Sequence, residues 1–199
     1  MMEPAWYALK VFYNRVFPLR DICKEALWQT YVPMQVEETV EHGAVKYTEK
    51  QLVPSLLFVK CNPGWLQDER RRERVRFMVY SDPESSRPRA IPELEMQMFM
   101  MVTSTRDKNL LFLGGDRAEW HQGDRVRVTD GVFKGAEGVV KRIQRDRRLV
   151  VTVNGVAAVA TSYIDPAFLE RIGVRSEWRK YCSNCSGFQP ERASRLSLN

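Results

Sequence analysis

Histidine is almost missing from this chain: there are two, His42 and His121, in 199 residues. No serine, histidine and acidic residue form a candidate set, and no glycine-rich phosphate loop precedes a helix, so an enzyme is not expected. His42 reads as a turn residue. Cysteine is scarce too, with four in the chain. Cys23 has no histidine near it in sequence and reads as a small core residue. Cys182-Ser-Asn-Cys185 has the spacing of half a zinc site, but no second pair follows, so neither a metal nor another cofactor is expected unless two chains share one. No apolar run approaches the ~20 residues a membrane helix needs. The opening Met-Met-Glu-Pro-Ala-Trp-Tyr lacks a basic segment followed by an apolar core, which argues against a signal peptide. Together with the unpaired-looking cysteines, this predicts a cytoplasmic protein with no membrane partner.

What the chain does have is a basic surplus, 31 Lys and Arg against 25 Asp and Glu, giving a net charge of +6. That balance leans towards a polyanionic partner. A hydrophobic content of 44% with 28% charged residues is that of a globular protein, and the length suits one large or two small domains.

The most patterned stretch runs from Gly123 to Val140. Val126 and Val128 alternate with Arg125, Arg127 and Thr129 as in a half-buried strand. Asp130-Gly131 supplies a turn, Phe133 is an apolar anchor, and Gly135 and Gly138 mark bends or close packing. Val139, Val140 and Ile143 start a second strand. Arg145 to Arg148 reads as a loop, Leu149 to Val153 as a third strand, and Asn154-Gly155 as a hairpin turn before Val156 to Ile164. This glycine and valine pattern resembles the KOW motif.

Upstream, Trp6 to Phe12 reads as a strand. Leu19, Ile22, Cys23, Ala26 and Leu27 form the apolar stripe of a helix. Tyr31 to Met34, with Pro33, suits an edge strand. Val36 to Val40 and Ala44 to Leu52 suit an exposed hairpin turning at His42-Gly43. Leu56 to Cys61 is apolar on both faces, so it is either covered twice or docks something. Trp65 to Glu73 reads as a helix whose mixed-charge run, Asp68 to Arg74, is a solvated face. Phe77 to Tyr80 is a strand. A helix starts at Ile91-Pro92-Glu93, with Leu94, Met98 and Met101 along one side. The nearby methionines read as adaptable core filler. Arg106 to Glu119 breaks the periodicity and reads as a linker.

Taken in order, these segments resemble the NusG family of transcription elongation factors. The resemblance rests on Trp6-Tyr7, Val32-Pro33, the Pro54 to Val59 strand after a hairpin, the Trp65 helix, the Pro92 helix and the KOW stretch, and it covers Trp6 to about Ile172. It implies an α+β fold: an NGN domain, with an antiparallel sheet flanked by helices, over residues 1–105, a linker over 106–119, and an SH3-like KOW β-barrel over 120–172. A polar tail, 173–199, is expected to be disordered. The family's N-terminal domain docks on the clamp of the largest RNA polymerase subunit. Carried over, the docking residues are Val53, Leu56, Phe58 and Ile91, although many relatives have an aromatic where Leu56 stands. A neighbouring face approaches the non-template DNA strand of the transcription bubble. Its candidates are Tyr13, Arg15, Arg20, Gln67, Arg70 and Arg71, in which guanidinium groups suit phosphates and guanines and Tyr13 suits base stacking. The barrel would recruit a ribosomal protein or a termination factor. The Trp-Tyr-Ala-Leu-Lys-Val opening and the Phe-Tyr-Asn-Arg loop after it look like the specialised, UpxY-like antiterminators of surface-polysaccharide operons, and some specialised relatives hide the clamp site beneath the C-terminal domain. The rival reading is an RNA-binding or ribosome-associated KOW protein, which would bind RNA without polymerase and with a steep salt dependence.

Overall fold

A computed structural model describes residues 3–41, 44–82, 84–105, 107–114, 123–153 and 155–173. The His42-Gly43 and Asn154 turn positions, His121, Trp120, and the tail bearing Cys182 and Cys185 lie outside these residues. The fold is α+β. Its N-terminal part contains β1 (Ala5–Val11), α1 (Val16–Glu25), β2 (Gln29–Tyr31), β3 (Met34–Glu41), β4 (Ala44–Gln51), β5 (Leu56–Cys61), α2 (Pro63–Arg72), β6 (Phe77–Val79) and α3 (Glu93–Thr103). The strand-rich C-terminal part contains β7 (Leu111–Phe112), β8 (Arg125–Val128), β9 (Glu137–Ile143), β10 (Asp146–Val153), β11 (Ala157–Tyr163) and β12 (Leu169–Gly173), and is compatible with an SH3-like KOW domain.

The N-terminal sheet has the order β2-β5-β1-β6, and β1 and β5 pair antiparallel with Tyr7 opposite Val59 and Ala8 opposite Phe58. Side chains alternate across a pleated strand, so this register sorts the apolar residues into two sets. Tyr7, Leu9, Val11, Leu57, Val59 and Cys61 share one buried cluster with Val16, Leu19 and Cys23 of α1 and Leu66 of α2. Trp6, Ala8, Leu56 and Phe58 share another with Met96, Phe99 and Val102 of α3. The strand that is apolar on both faces is thus covered twice. The β3–β4 hairpin forms its own two-stranded sheet, and all of β4 except Gln51 is exposed.

Two helices differ from their sequence patterns. The stripe of α1 stops short, because the helix ends at Glu25; Leu27 turns left-handed at φ 60° and is 91% exposed. In α3 the sheet-facing residues are Met96, Phe99 and Val102, while Leu94 and Met101 are exposed. Nearly every position from Leu94 to Val102 carries an apolar or long side chain, so period alone does not select a face. The choice comes from the sheet beneath: Phe99 packs against Phe58 with ring centroids 5.4 Å apart.

The C-terminal sheet has the order β12-β8-β9-β10-β11-β7. Residues 106–119, read as a linker, supply β7, which pairs with β11 through Leu111 opposite Ala160 and Phe112 opposite Val159. The charged run at 145–148 is mostly strand rather than loop. The turn is the two-residue Gln144-Arg145, with φ 52° and 73°, and β10 begins at Asp146. Arg148 is buried; its Nη1 donates to the carbonyl oxygens of Asn109 at 3.1 Å and Thr161 at 2.9 Å.

The two parts share a core. One continuous cluster runs from Trp6 and Phe58 through Phe99 and Val102 to Val126, Phe133, Leu149, Val151 and Val159. At the seam, the backbone N–H of Glu137 lies 3.3 Å from the Met98 sulfur. The Arg89 guanidinium packs over the Gly155 turn, whose φ of 74° suits glycine.

Candidate docking face and nucleic-acid interface

Four side chains form the expected polymerase-docking face, and the structure brings them into one buried cluster. Leu56 is 2% exposed, Phe58 0%, Val53 7% and Ile91 4%. Leu56 and Phe58 point from β5 towards α3. Ile91 sits beside β1, its N–H bonded to the Trp6 carbonyl at 2.8 Å. The lid over them is pinned at both ends. Lys60 pairs with Glu93 at the start of α3 at 2.9 Å, and this bond holds the Glu93 carboxyl below its ordinary value. At the other end, the Tyr31 and Thr103 hydroxyls are 2.6 Å apart. Burial pushes the Tyr31 phenol up, partly offset by that hydrogen bond. In this arrangement no partner can touch Leu56 or Phe58 without displacing α3 or the C-terminal sheet.

The charged candidates divide into two groups. Gln67, Arg70 and Arg71, together with the carboxylate-bearing Glu73, line one cleft of about 500 Å³ between α2 and the segment of Val79, Ser81, Ser86 and Pro88. Their presentation follows from how α2 is built. Asn62 caps it, its Oδ1 accepting from the Gly64 N–H at 2.9 Å, and Pro63 occupies the first helical position. The inward face carries Leu66 and, one turn on, Glu69, which is 1% exposed. A buried carboxylate needs partners. Glu73 turns left-handed at φ 51°, and Arg74 comes back over the helix to donate Nε and Nη2 to the two Glu69 oxygens at 2.9 and 2.8 Å. Arg72 adds a weaker contact to Glu69 at 3.5 Å. The mixed-charge run is therefore not simply a solvated face: Glu69 engages Arg72 and Arg74. Arg70 and Arg71 stay exposed, Arg71 with only a long contact to Asp68 at 3.6 Å between two exposed side chains.

Tyr13, Arg15 and Arg20 belong to the β1–α1 connection and the first turns of α1. Tyr13 is 75% exposed in a left-handed conformation, which presents its ring to solvent. Arg15 is exposed and stands at the N-cap of α1. Arg20 is already engaged, bonded to Asp21 at 2.9 and 3.0 Å and stacked 4.9 Å over Phe17. None of the three lines the α2 cleft. Arg76 lies beside this second group: its carbonyl accepts the Phe12 N–H at 3.0 Å and its guanidinium lies 5.8 Å over the Phe12 ring. Arg76 is an exposed cation that sequence reasoning passed over, since it sits between the helix and a strand without a motif. Among the described residues, no group of three or more His, Cys, Asp and Glu could hold a metal ion, and no helix is long and apolar enough to cross a membrane.

Comparison with known proteins adds a family. Residues 4–100 match the family described as "NusG: Transcription termination factor nusG". Among solved structures, "Domain interaction in Thermotoga maritima NusG" aligns with a TM-score of 0.45 at 16% identity, covering 86% of this chain and 99% of that one. No curated protein matches.

Proposed function

Residues 4–100 match the NusG family, and from that premise we propose that the chain is a transcription elongation factor that docks on the RNA polymerase clamp and holds the non-template DNA strand, suppressing pausing and termination. In keeping with its UpxY-like opening, it acts as an antiterminator on particular operons. The observation that carries this reading is the α2 cleft, where Gln67, Arg70 and Arg71 converge beside a single carboxylate, Glu73, with no ion pair to it among the described residues, while Glu69 holds Arg72 and Arg74. A guanidinium without a close carboxylate partner can give its donors to phosphate or to a guanine edge. Tyr13, exposed at 75%, offers a ring for an unpaired base on the neighbouring connection. Arg15 and Arg20 add positive charge there, Arg20 after release from Asp21. The C-terminal sheet is the surface that would recruit a ribosomal protein or a termination factor.

Polymerase docking through Val53, Leu56, Phe58 and Ile91 requires this apolar face to be uncovered. The factor would exist as a closed form, in which α3 and the C-terminal sheet cover the face, and an open form that binds the clamp. Polymerase shifts that equilibrium only by its preference for the open form. The test is a reconstituted elongation assay with the double variant Arg70→Ala/Arg71→Ala. The expected result is retained polymerase binding, with loss of pause suppression and of crosslinking to the non-template strand. Unchanged pause suppression would remove the α2 cleft from the mechanism.

A further inference from the structure

The β9–β10 hairpin carries charge that neither the fold nor the proposed polymerase and bubble contacts use. Lys141, Arg142, Arg145, Arg147 and Arg148 fall within eight residues, with Asp146 as the sole acid among them. Asp146 lies 3.4 Å from Arg148, and Arg148 is buried. The other four cations remain. Among the described residues, no carboxylate lies within ion-pair distance of Lys141, Arg142, Arg145 or Arg147. Arg142 spends one donor on a long 3.4 Å bond to the Arg145 carbonyl.

Their arrangement works against folding. Arg142 and Arg147 are direct cross-strand partners, and like charges placed opposite each other destabilise a sheet. The turn between them is Gln144-Arg145, both with positive φ, where Asn-Gly would be the comfortable choice. The hairpin is short and regular, with little loop entropy to lose on binding: Arg142 and Arg147 share one exposed face, Arg145 stands at the turn, and Lys141, half-buried, lies on the opposite face with Arg148. Concentrated positive charge of this kind is what a phosphate backbone neutralises. Residues 141–148 contain no aromatic side chain. Proteins that hold single strands pair their cations with rows of aromatic stacking platforms; here a single exposed ring, Tyr163 on β11, stands opposite Arg148 behind the tip.

We propose that the β9–β10 tip, through Lys141, Arg142, Arg145 and Arg147, is a sequence-independent binding site for the phosphate backbone of duplex DNA. This site is separate from the α2 cleft and does not depend on the polymerase reading.

The test is fluorescence anisotropy of the full chain, without polymerase, against a mixed-sequence DNA duplex, one of its single strands, and a single-stranded RNA, across a salt series. The wild type should bind the duplex with a steep log–log salt slope. Arg142→Gln/Arg145→Gln/Arg147→Gln should lower that slope by about 2–3, near one for each phosphate no longer neutralised. The corresponding triple Lys variant should largely restore it, since backbone neutralisation asks for charge rather than fork geometry. Circular dichroism and thermal melting should show the Gln variant folded, as relief of the Arg142–Arg147 repulsion does not weaken the sheet. Arg70→Gln/Arg71→Gln should leave the contribution of the tip in place. The proposal is overturned if the triple Gln variant keeps the wild-type slope, if the wild type fails to bind the duplex at low salt, or if the tip substitutions weaken only single-strand or RNA binding.

Discussion

Cys23 and Cys61 are both fully buried, and both carry free thiols. Burial pushes each thiol up to about 12 from an ordinary 9.0; for Cys23 the buried Glu69 adds to the effect, and for Cys61 the neighbouring Cys23 does. A thiol raised in the folded state stabilises the fold fully below its ordinary value, and that contribution is lost as pH rises from there towards about 12. Two outcomes are expected. In a Cys182→Ser/Cys185→Ser background, a thiol reagent at neutral pH should label the native chain far more slowly than the urea-unfolded chain, because the thiolate is both scarce and enclosed. Chemical denaturation across pH 8 to 11 should show stability falling with pH, and Cys23→Ala/Cys61→Ala should flatten that decline. The same scale settles what Leu56 and Phe58 do in the closed form: as core side chains they cannot be replaced by aspartate without burying an unpaired charge. Such variants report on folding before they report on polymerase.

At the scale of the element, the glycines of the KOW stretch separate into two physical roles. Gly131 and Gly135 have positive φ, at 85° and 88°, and serve turns. Gly138 has an ordinary φ and serves packing: a Cβ there would run into the Val150 carbonyl oxygen and stand 3.1 Å from Leu149 Cγ. Since β9 pairs with β10 at Val139–Val150, that close approach lies within the sheet and has no flexible side chain to yield. Gly138→Ala is expected to destabilise the C-terminal sheet by roughly 1–3 kcal/mol, measured by denaturant melts, with β8–β9 and β9–β10 amide protection falling first. Sequence alone marked Gly138 as a bend or a close approach, and only the register chose. Likewise the acidic and basic run of α2 was legible as a helix, but not the inward turn of Glu69. A carboxylate at a buried helical position, matched by Arg74 beyond the helix end, is visible only once Glu73 is seen to reverse the chain.

For the whole molecule, the decisive feature is the seam between α3 and the C-terminal sheet, where Met98 meets the Glu137 backbone and the two cores merge. If polymerase docks on the Leu56–Phe58 face, closing this seam covalently must block it. Met98→Cys/Glu137→Cys, in a chain with Cys182→Ser and Cys185→Ser, can be bridged by a short thiol crosslinker. Polymerase binding is expected before bridging and after cleavage of the bridge, and its loss is expected while the bridge is intact. Full binding by the bridged protein would move the docking surface away from Leu56 and Phe58.

The sequence by itself determined most of the order of elements, β7 excepted, and the resemblance to the NusG family. Alternation of Tyr7, Leu9 and Val11 with Trp6 and Ala8, the double apolar face of Leu56 to Val59, and the glycine spacing from Gly123 to Gly138 are local patterns, and local sterics and pleating enforce them. Tertiary structure alone decided which of those surfaces are free. Val53, Leu56, Phe58 and Ile91 are apolar whether they dock a partner or fill a core, and composition cannot tell the two apart. The Met98 and Phe99 faces of α3 were equally ambiguous until a sheet lay beneath one and a second sheet beside the other. Charge behaved in the same way: a basic run declares its sign in the sequence, but whether an arginine is engaged, as Arg74 and Arg148 are, or remains available, as Arg70 and Arg147 are, depends on which acids and carbonyls the fold brings within reach.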